Sequence, residues 1–256
     1  MMTETRKALA DFLRVPASLG GVLAVWALTT SSGAVNTEIF PTPAAVWAAA
    51  VELYRDGLLT TDALVSVRRA AIGFVVGSSL GVLVGLFTAR IRSVGYTLHP
   101  FLNLLRPIPA IALVPLAIVW FGIGELSKYV VISYTVFLSV WLNTDHGTSG
   151  VAQTYIRASR SLGAGTAREF FEVVVPAAAP HIVAGLRMGC ALAFLSLVAA
   201  ELTGASAGIG YRIQEARNFI RTDRMFVGLI ELGILGALLD FCFLQISRRL
   251  VHWEQA

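Results

Sequence analysis

The chain has 256 residues, of which 56% are hydrophobic and only 14% charged, with a mean hydropathy of +0.72 and a formal net charge of +4. Soluble domains carry about a quarter charged residues, so much of this surface does not face water, and an ordinary soluble domain is excluded. The basic excess fits Lys and Arg gathered at the cytoplasmic ends of membrane spans and implies no nucleic-acid partner.

Residues 1–14 are polar, with Arg6, Lys7 and Arg14, and form a cytoplasmic N-terminus. The apolar run from Val15 to about Val35 is longer than a signal-peptide core and reads as a first transmembrane helix. Phe40-Pro41-Thr42-Pro43 forces an extended turn. Ala44–Tyr54 then has helical spacing but is too short and too charged to span, which predicts an interfacial helix on the outer surface. These two elements make up residues 15–62, and residues 63–250 make up the transmembrane core.

The second span runs from Leu64 to Ala89, and its uncharged part covers about 30 Å as helix. Within it Gly73, Gly77, Gly81 and Gly85 recur on one face, the spacing that lets a neighbouring helix approach closely. A third span, Leu98 to Phe121, contains Leu105-Arg106-Pro107-Ile108-Pro109 and Pro115. Such prolines bend a span where protein or a cavity covers the freed carbonyls. The turn Phe121–Lys128 leads into a fourth span ending near Thr144.

Next comes the long polar interruption of the second half, within a loop of residues 150–180. It carries Arg157, Arg160, Arg168, Glu169 and Glu172, with Leu162, Phe170, Phe171 and Val173–Val175 between them. Two short helices broken at Gly163-Ala164-Gly165 would place the apolar residues on one face and the charges on the other. That pattern suits a docking element at the membrane surface. A fifth span covers Ile182 to Leu202. Gly204–Arg224 is an outer segment with a short amphipathic helix, and its glycines are no phosphate loop, since no strand precedes them and no Gly-Lys-Ser/Thr follows. A sixth span, Met225 to Ile246, ends in Arg248-Arg249 and the anchor His252-Trp253, with residues 251–256 as a cytoplasmic tail. The expected fold is therefore all-α and integral to the membrane, with six spans and both termini inside, an orientation that the Lys and Arg distribution favours.

The order Arg157-Ala158-Ser159, then Gly163, then Val173-x-Val175-Pro176 resembles the signature of permease subunits of bacterial ATP-binding cassette importers. Arg157 stands where that family has Glu, and Ser159 where it has Ala. Leu105–Pro109, Trp120–Lys128, Gly185–Gly189, Ala200–Tyr211 and Leu235–Asp240 are similar to one branch of it, the nitrate, bicarbonate, taurine and alkanesulfonate permeases. The resemblance implies the type I importer permease fold, in the bacterial cytoplasmic membrane. It implies that Arg157, Ala158, Ser159, Leu162, Gly163, Ala164 and Pro176 belong to a cytoplasmic coupling helix seated in an ATPase subunit. The implied partners are a second permease copy, two ATPase subunits that bind ATP and Mg, and an extracytoplasmic solute-binding protein. The implied solute is a small oxyanion. The chain itself has no G-x-x-x-x-G-K-[ST] and cannot hydrolyse ATP. The competing class is a self-sufficient secondary transporter or channel, which would carry internal repeats and paired broken helices.

Ionisable groups inside spans are costly and serve a partner or a pathway. Arg68 or Arg69 would pair with a solute oxyanion through two parallel hydrogen bonds, or with Glu201 in an ion pair. Tyr134, Asn143 and Ser196 would line a polar path, or bond their own backbone. Asp240 is expected to pair with Arg248 or a loop arginine, and Glu231 has no visible partner. Cys190 and Cys242 read as buried small hydrophobes. No catalytic constellation, metal site or cofactor is indicated.

Overall fold

The computed structural model describes Ser18 and residues 20–250. The expected cytoplasmic N-terminus, the opening of the first span and the His252-Trp253 anchor lie outside the described residues, as do the side chains of Arg248 and Arg249. The described chain is helical: α1 (Gly20–Ser31), α2 (Pro43–Arg55), α3 (Leu58–Arg90), α4 (Arg92–Leu105), α5 (Ala110–Phe121), α6 (Glu125–Ser149), α7 (Gln153–Ser161), α8 (Thr166–Glu169), α9 (Val175–Gly204), α10 (Ile209–Asn218) and α11 (Thr222–Leu250). A π-helical turn, Phe170–Val174, joins α8 to α9 without a stop.

The helices fall into two compact units. The smaller holds the described residues up to Thr60 together with Arg212–Ile230; the larger holds Thr61–Tyr211 and the described residues from Glu231. In the smaller unit Thr42 caps α2 by accepting from the Ala45 N–H at 3.1 Å, with Pro43 opening the helix. Val46, Ala49 and Leu53 turn inward on Val227, while Trp47 and Tyr54 stay exposed. Trp26 stacks on Phe226 at 5.7 Å between centroids, and Glu52 meets Arg224 at 3.0 Å.

In the larger unit α6 is the central post. It packs along α9, and α5 packs on both. Ile132, Val136, Val140, Trp141 and Thr144 of α6 are almost wholly buried. The glycine stripe of α3 lies on this helix. A Cβ at Gly77 would stand 2.5 Å from the Ser133 carbonyl oxygen, one at Gly81 2.8 Å from Val140 Cβ, and one at Gly85 2.6 Å from Thr144 Cβ. No side chain fits at those positions, so the two backbones meet directly. The opposite face of α3 exposes Val75, Leu80, Leu83 and Phe87, an apolar surface suited to lipid.

Among the described residues, three helices are long and apolar enough to cross a membrane: α3, the continuous run Thr166–Gly204, and the greater part of α11. The expected third span is not one helix. It is α4 and α5, bent by 102° at residues 106–109, a pair with the length and composition of either one broken span or a re-entrant loop. The expected fourth span, α6, falls short in hydropathy because it carries Ser127, Lys128, Asp145 and Thr148. Those groups are tolerated because α6 is enclosed by protein, so its surface has no need to match lipid. Cys242, expected to be buried, is exposed on α11.

Candidate functional site: a clasp, a cleft and a polar segment

Arg69 is the hub of the first cluster, with its side chain 3% exposed. Its Nη1 donates to Glu201 Oε1 at 2.8 Å and to the Ala207 carbonyl at 2.6 Å. Its Nε and Nη2 donate in parallel to the two oxygens of Glu125, at 2.7 and 2.5 Å. Glu201 also accepts from Ser66 Oγ at 2.8 Å and from the Gly210 N–H at 2.9 Å. Asp62 accepts from the Gly208 N–H at 2.7 Å. Gly208 has φ +116, and a Cβ there would run into the Glu201 carboxylate and stand 2.8 Å from Arg69 Nη1, so only glycine fits. Two carboxylates thus occupy the Arg69 fork, and the loop after α9 is tied to α3. Arg69 pairs with protein. Arg68 is 61% exposed and reaches only Glu125, at 3.9 Å.

The second feature is a cleft of about 470 Å³ at the α4–α5 break. Tyr134, Asn143 and Ser196, from α6 and α9, all line it, whereas Arg68, Arg69 and Glu201 do not. The Tyr134 hydroxyl donates to the Leu105 carbonyl at 2.6 Å, an oxygen that also accepts from the Ile108 N–H at 3.1 Å. Asn143 Nδ2 donates to the Ser139 carbonyl at 2.9 Å, and Ser196 Oγ to the Leu192 carbonyl at 2.8 Å. Ser139 Oγ is shielded from solvent and has no hydrogen-bond partner among the described residues. Among the described residues Arg106 is the one cation that lines the cleft. The signal that it belongs here was its place in Leu-Arg-Pro-Ile-Pro.

The third feature is the polar segment. Helix α7 ends at a break in which Gly163 has φ +84 and the Ala164 N–H donates to the Ser159 carbonyl at 3.0 Å, a Schellman-type stop. Ile156, Val174 and Ala178 are buried together, with Phe170 packed against them. The expected division into an apolar and a charged face does not hold. Leu162 is 88% exposed and Phe171 70%, while Glu169 is only 1% exposed. Glu169 is held by two guanidinium groups, Arg90 at the end of α3 and Arg160 of α7, the latter at 2.5 Å. That pairing raises the pKa of Arg160. Arg157, Ala158 and Pro176 are exposed, and Ser159 Oγ donates to the Ile156 carbonyl. Asp240 pairs with Arg187 of α9 at 3.1 Å, not with a loop arginine, and Glu231 Oε1 is buried with no hydrogen-bond partner among the described residues.

A family profile described as "Binding-protein-dependent transport system inner membrane component" matches residues 77–252. The chain is 34% identical over 235 residues to a putative aliphatic sulfonates transport permease protein, SsuC, of Bacillus subtilis, covering 92% of this chain and 85% of that one. It is 32% identical over 242 residues to the taurine transport system permease protein TauC of Escherichia coli, covering 93% and 88%. Among solved structures, an inward-facing MetNI methionine ABC transporter matches with a TM-score of 0.60 at 22% identity, covering 75% of this chain and 94% of that one, a likeness of fold.

Proposed function

The chain belongs to the family of binding-protein-dependent transport system inner membrane components, the permease subunits of ABC importers, and from that premise we propose how it works. Two copies form the path for a small oxyanion, of the kind named for the sulfonate and taurine relatives. The path alternates between outward and inward access as two separate ATPase subunits close on ATP. A solute-binding protein delivers the solute from outside the cytoplasmic membrane of the cell.

In this reading the chain crosses the bilayer six times, through the apolar run of α1, α3, the broken pair α4–α5, α6, α9 and α11. Both termini and the α7–α8 segment lie in the cytoplasm. Arg157–Gly163 and the turn after it dock in the ATPase. The observation that carries this is the segment's construction: Leu162 and Phe171 are exposed to solvent while Glu169, buried in the same segment, is clamped by Arg90 and Arg160. An exposed apolar knob on a rigidly held base suits a surface that transmits force. The Arg69 clasp, in turn, holds the outer loop.

The test is reconstitution. Proteoliposomes holding the permease, the co-encoded ATPase and the binding protein should accumulate solute only with ATP inside, and a Leu162→Cys permease should cross-link to the ATPase. Uptake by the permease alone would point to a self-sufficient carrier instead.

A further inference from the structure

We propose that His99 and Asp145 form a proton-operated latch tying α4 to α6. The latch holds while the His99 ring carries both its protons and lets go as the pH around it rises. It rests on the permease reading in one respect: that reading puts this end of α4 in the cytoplasm, which makes internal pH the quantity sensed.

The cluster is built from three helices. Asp145 of α6 is buried, with its side chain 8% exposed. Its Oδ1 accepts from Thr88 Oγ1 of α3 at 2.6 Å and faces His99 Nε2 of α4 at 2.9 Å. Trp141 Nε1 donates to the same Thr88 hydroxyl at 3.1 Å, which leaves the hydroxyl proton for the carboxylate in preference to the Gly85 carbonyl, also at 3.1 Å. The His99 ring lies against the Trp141 ring, 5.8 Å between centroids. Nε2 carries a proton in this arrangement, because two lone pairs at 2.9 Å would repel. A carboxylate taken out of water needs a counter-charge. Among the described residues His99 is the one basic side chain within ion-pair distance of Asp145. The charged form of the contact is therefore the strong one.

What makes the pair a switch is how thinly α4 is held otherwise. Of its 14 residues only Gly95 and Leu102 are buried, with Leu98 partly so. One ion pair is a large share of that attachment. The His99 side chain is 39% exposed, so protons from solvent reach it while Asp145 stays covered. An imidazole changes charge between about pH 5 and 8, and the ion pair exists only while the imidazolium does. Acid thus favours the latched state and alkali the released one. The other charged or titratable groups at this end have their own places. On α3, Arg90 holds Glu169 together with Arg160 of α7. On α4, Arg92 lies over the Tyr96 ring, and Arg106 past its end reaches Asn103. On α6, His146 is exposed and Tyr134 donates to the Leu105 carbonyl. On α9, His181 packs on Gly147, where a Cβ would stand 2.4 Å from its own. Thr88 precedes Arg90 by two residues, so the latch shares the end of α3 with the clamp on the docking segment. A transport cycle that has to move α4 turns more slowly when the cytoplasm is acid.

The experiment uses the full-length permease in lipid nanodiscs, with Cys190 and Cys242 changed to alanine and a nitroxide spin label on Thr97→Cys, an exposed position of α4. The mobile fraction of the label, read from the electron paramagnetic resonance line shape, should rise at least about threefold between about pH 6 and 8. His99→Gln should hold that fraction near its alkaline level at every pH, and His99→Lys, which keeps the charge, near its acid level. His146→Gln and His181→Gln should titrate as the unaltered permease does. A flat profile in the unaltered permease, or an unchanged titration in His99→Gln, would overturn the latch. With the ATPase bound, phosphate release by the unaltered complex relative to the His99→Gln complex should fall about threefold from about pH 8 to 6, the ATPase's own pH dependence cancelling in the ratio. A ratio that does not move with pH would overturn the link from latch to transport. The label reads the latch whether or not an ATPase is present, so the two ideas fail separately. A titrating label on a permease that binds no ATPase keeps the latch and sinks the importer reading, and a flat label on an ATP-driven importer does the reverse.

Discussion

Arg69 and Glu201 meet at 2.8 Å with their side chains 3% and 0% exposed, one from α3 and one from the end of α9. Removing one member of such a pair leaves the other charge buried and unmatched, which typically costs about 3–5 kcal/mol. Arg69→Ala should therefore lower the thermal midpoint of the purified permease sharply, because two carboxylates lose their shared partner. Glu201→Gln should do less, since Glu125 still balances Arg69. Unfolding followed by tryptophan fluorescence in detergent distinguishes the two. A normal midpoint for Arg69→Ala, with only the solute affinity altered, would instead make Arg69 a solute ligand.

The stripe of α3 tests a different term, backbone proximity. Gly77→Leu would drive a side chain into the Ser133 carbonyl, and overpacking of that kind costs about 1–3 kcal/mol. Gly236→Ala is the control: nothing stands within 4 Å of its Cβ position on α11, and alanine is the better helix former by up to about 1 kcal/mol. Expression and thermal midpoint should fall for the first and hold or rise for the second. Equal tolerance of both would mean that α3 and α6 are less closely joined than their geometry requires.

These two relationships were legible in the amino-acid sequence for a plain reason. A four-residue glycine spacing matches the helix repeat whatever the partner helix is, and a buried charge demands a partner. The arrangement at Arg106 was not legible, because Pro107 and Pro109 announce a bend but not its size. The 102° turn depends on where α5 packs against α6 and α9, which no local sequence signal states. Glu169 was misread as part of a solvated face because its anchor Arg90 lies on another helix, far back in the chain. The exposure of Phe171 depends on the π-helical turn, whose extra residue shifts the register by which a period of 3.6 assigns faces. Helix α6 reads from sequence simply as a fourth span, and its polar residues make sense only once its enclosing neighbours are known.

Glu169 should matter more for coupling than for assembly. Its carboxylate joins α7, through Arg160, to the end of α3, through Arg90. Glu169→Gln leaves two guanidinium groups facing a neutral amide, so motion of the docking segment reaches α3 less faithfully. The expected result is a complex that forms normally but imports less solute per ATP, by at least about threefold, with Arg160→Ala and the double variant showing non-additive losses, as members of one network do. Uptake and phosphate release measured on the same proteoliposomes give the ratio. Additive effects, or an unchanged ratio, would reduce the clamp to surface decoration.

Leu162 carries the opposite expectation. At 88% exposed it contributes almost nothing to the fold, so Leu162→Ser should leave the thermal midpoint of the isolated permease where it was. If the residue inserts into a pocket of the ATPase, however, its loss removes an apolar anchor, and anchors of this kind are worth about 2 kcal/mol, or roughly thirtyfold in affinity. Val174→Ser makes the contrast, because Val174 is 1% exposed and its loss should unsettle the segment itself before any partner is bound. Titration of the ATPase against nanodisc-held permease, read beside the two midpoints, separates docking from folding. A Leu162→Ser permease that binds the ATPase with undiminished affinity would remove this knob from the interface and leave Phe171 as the next residue to test.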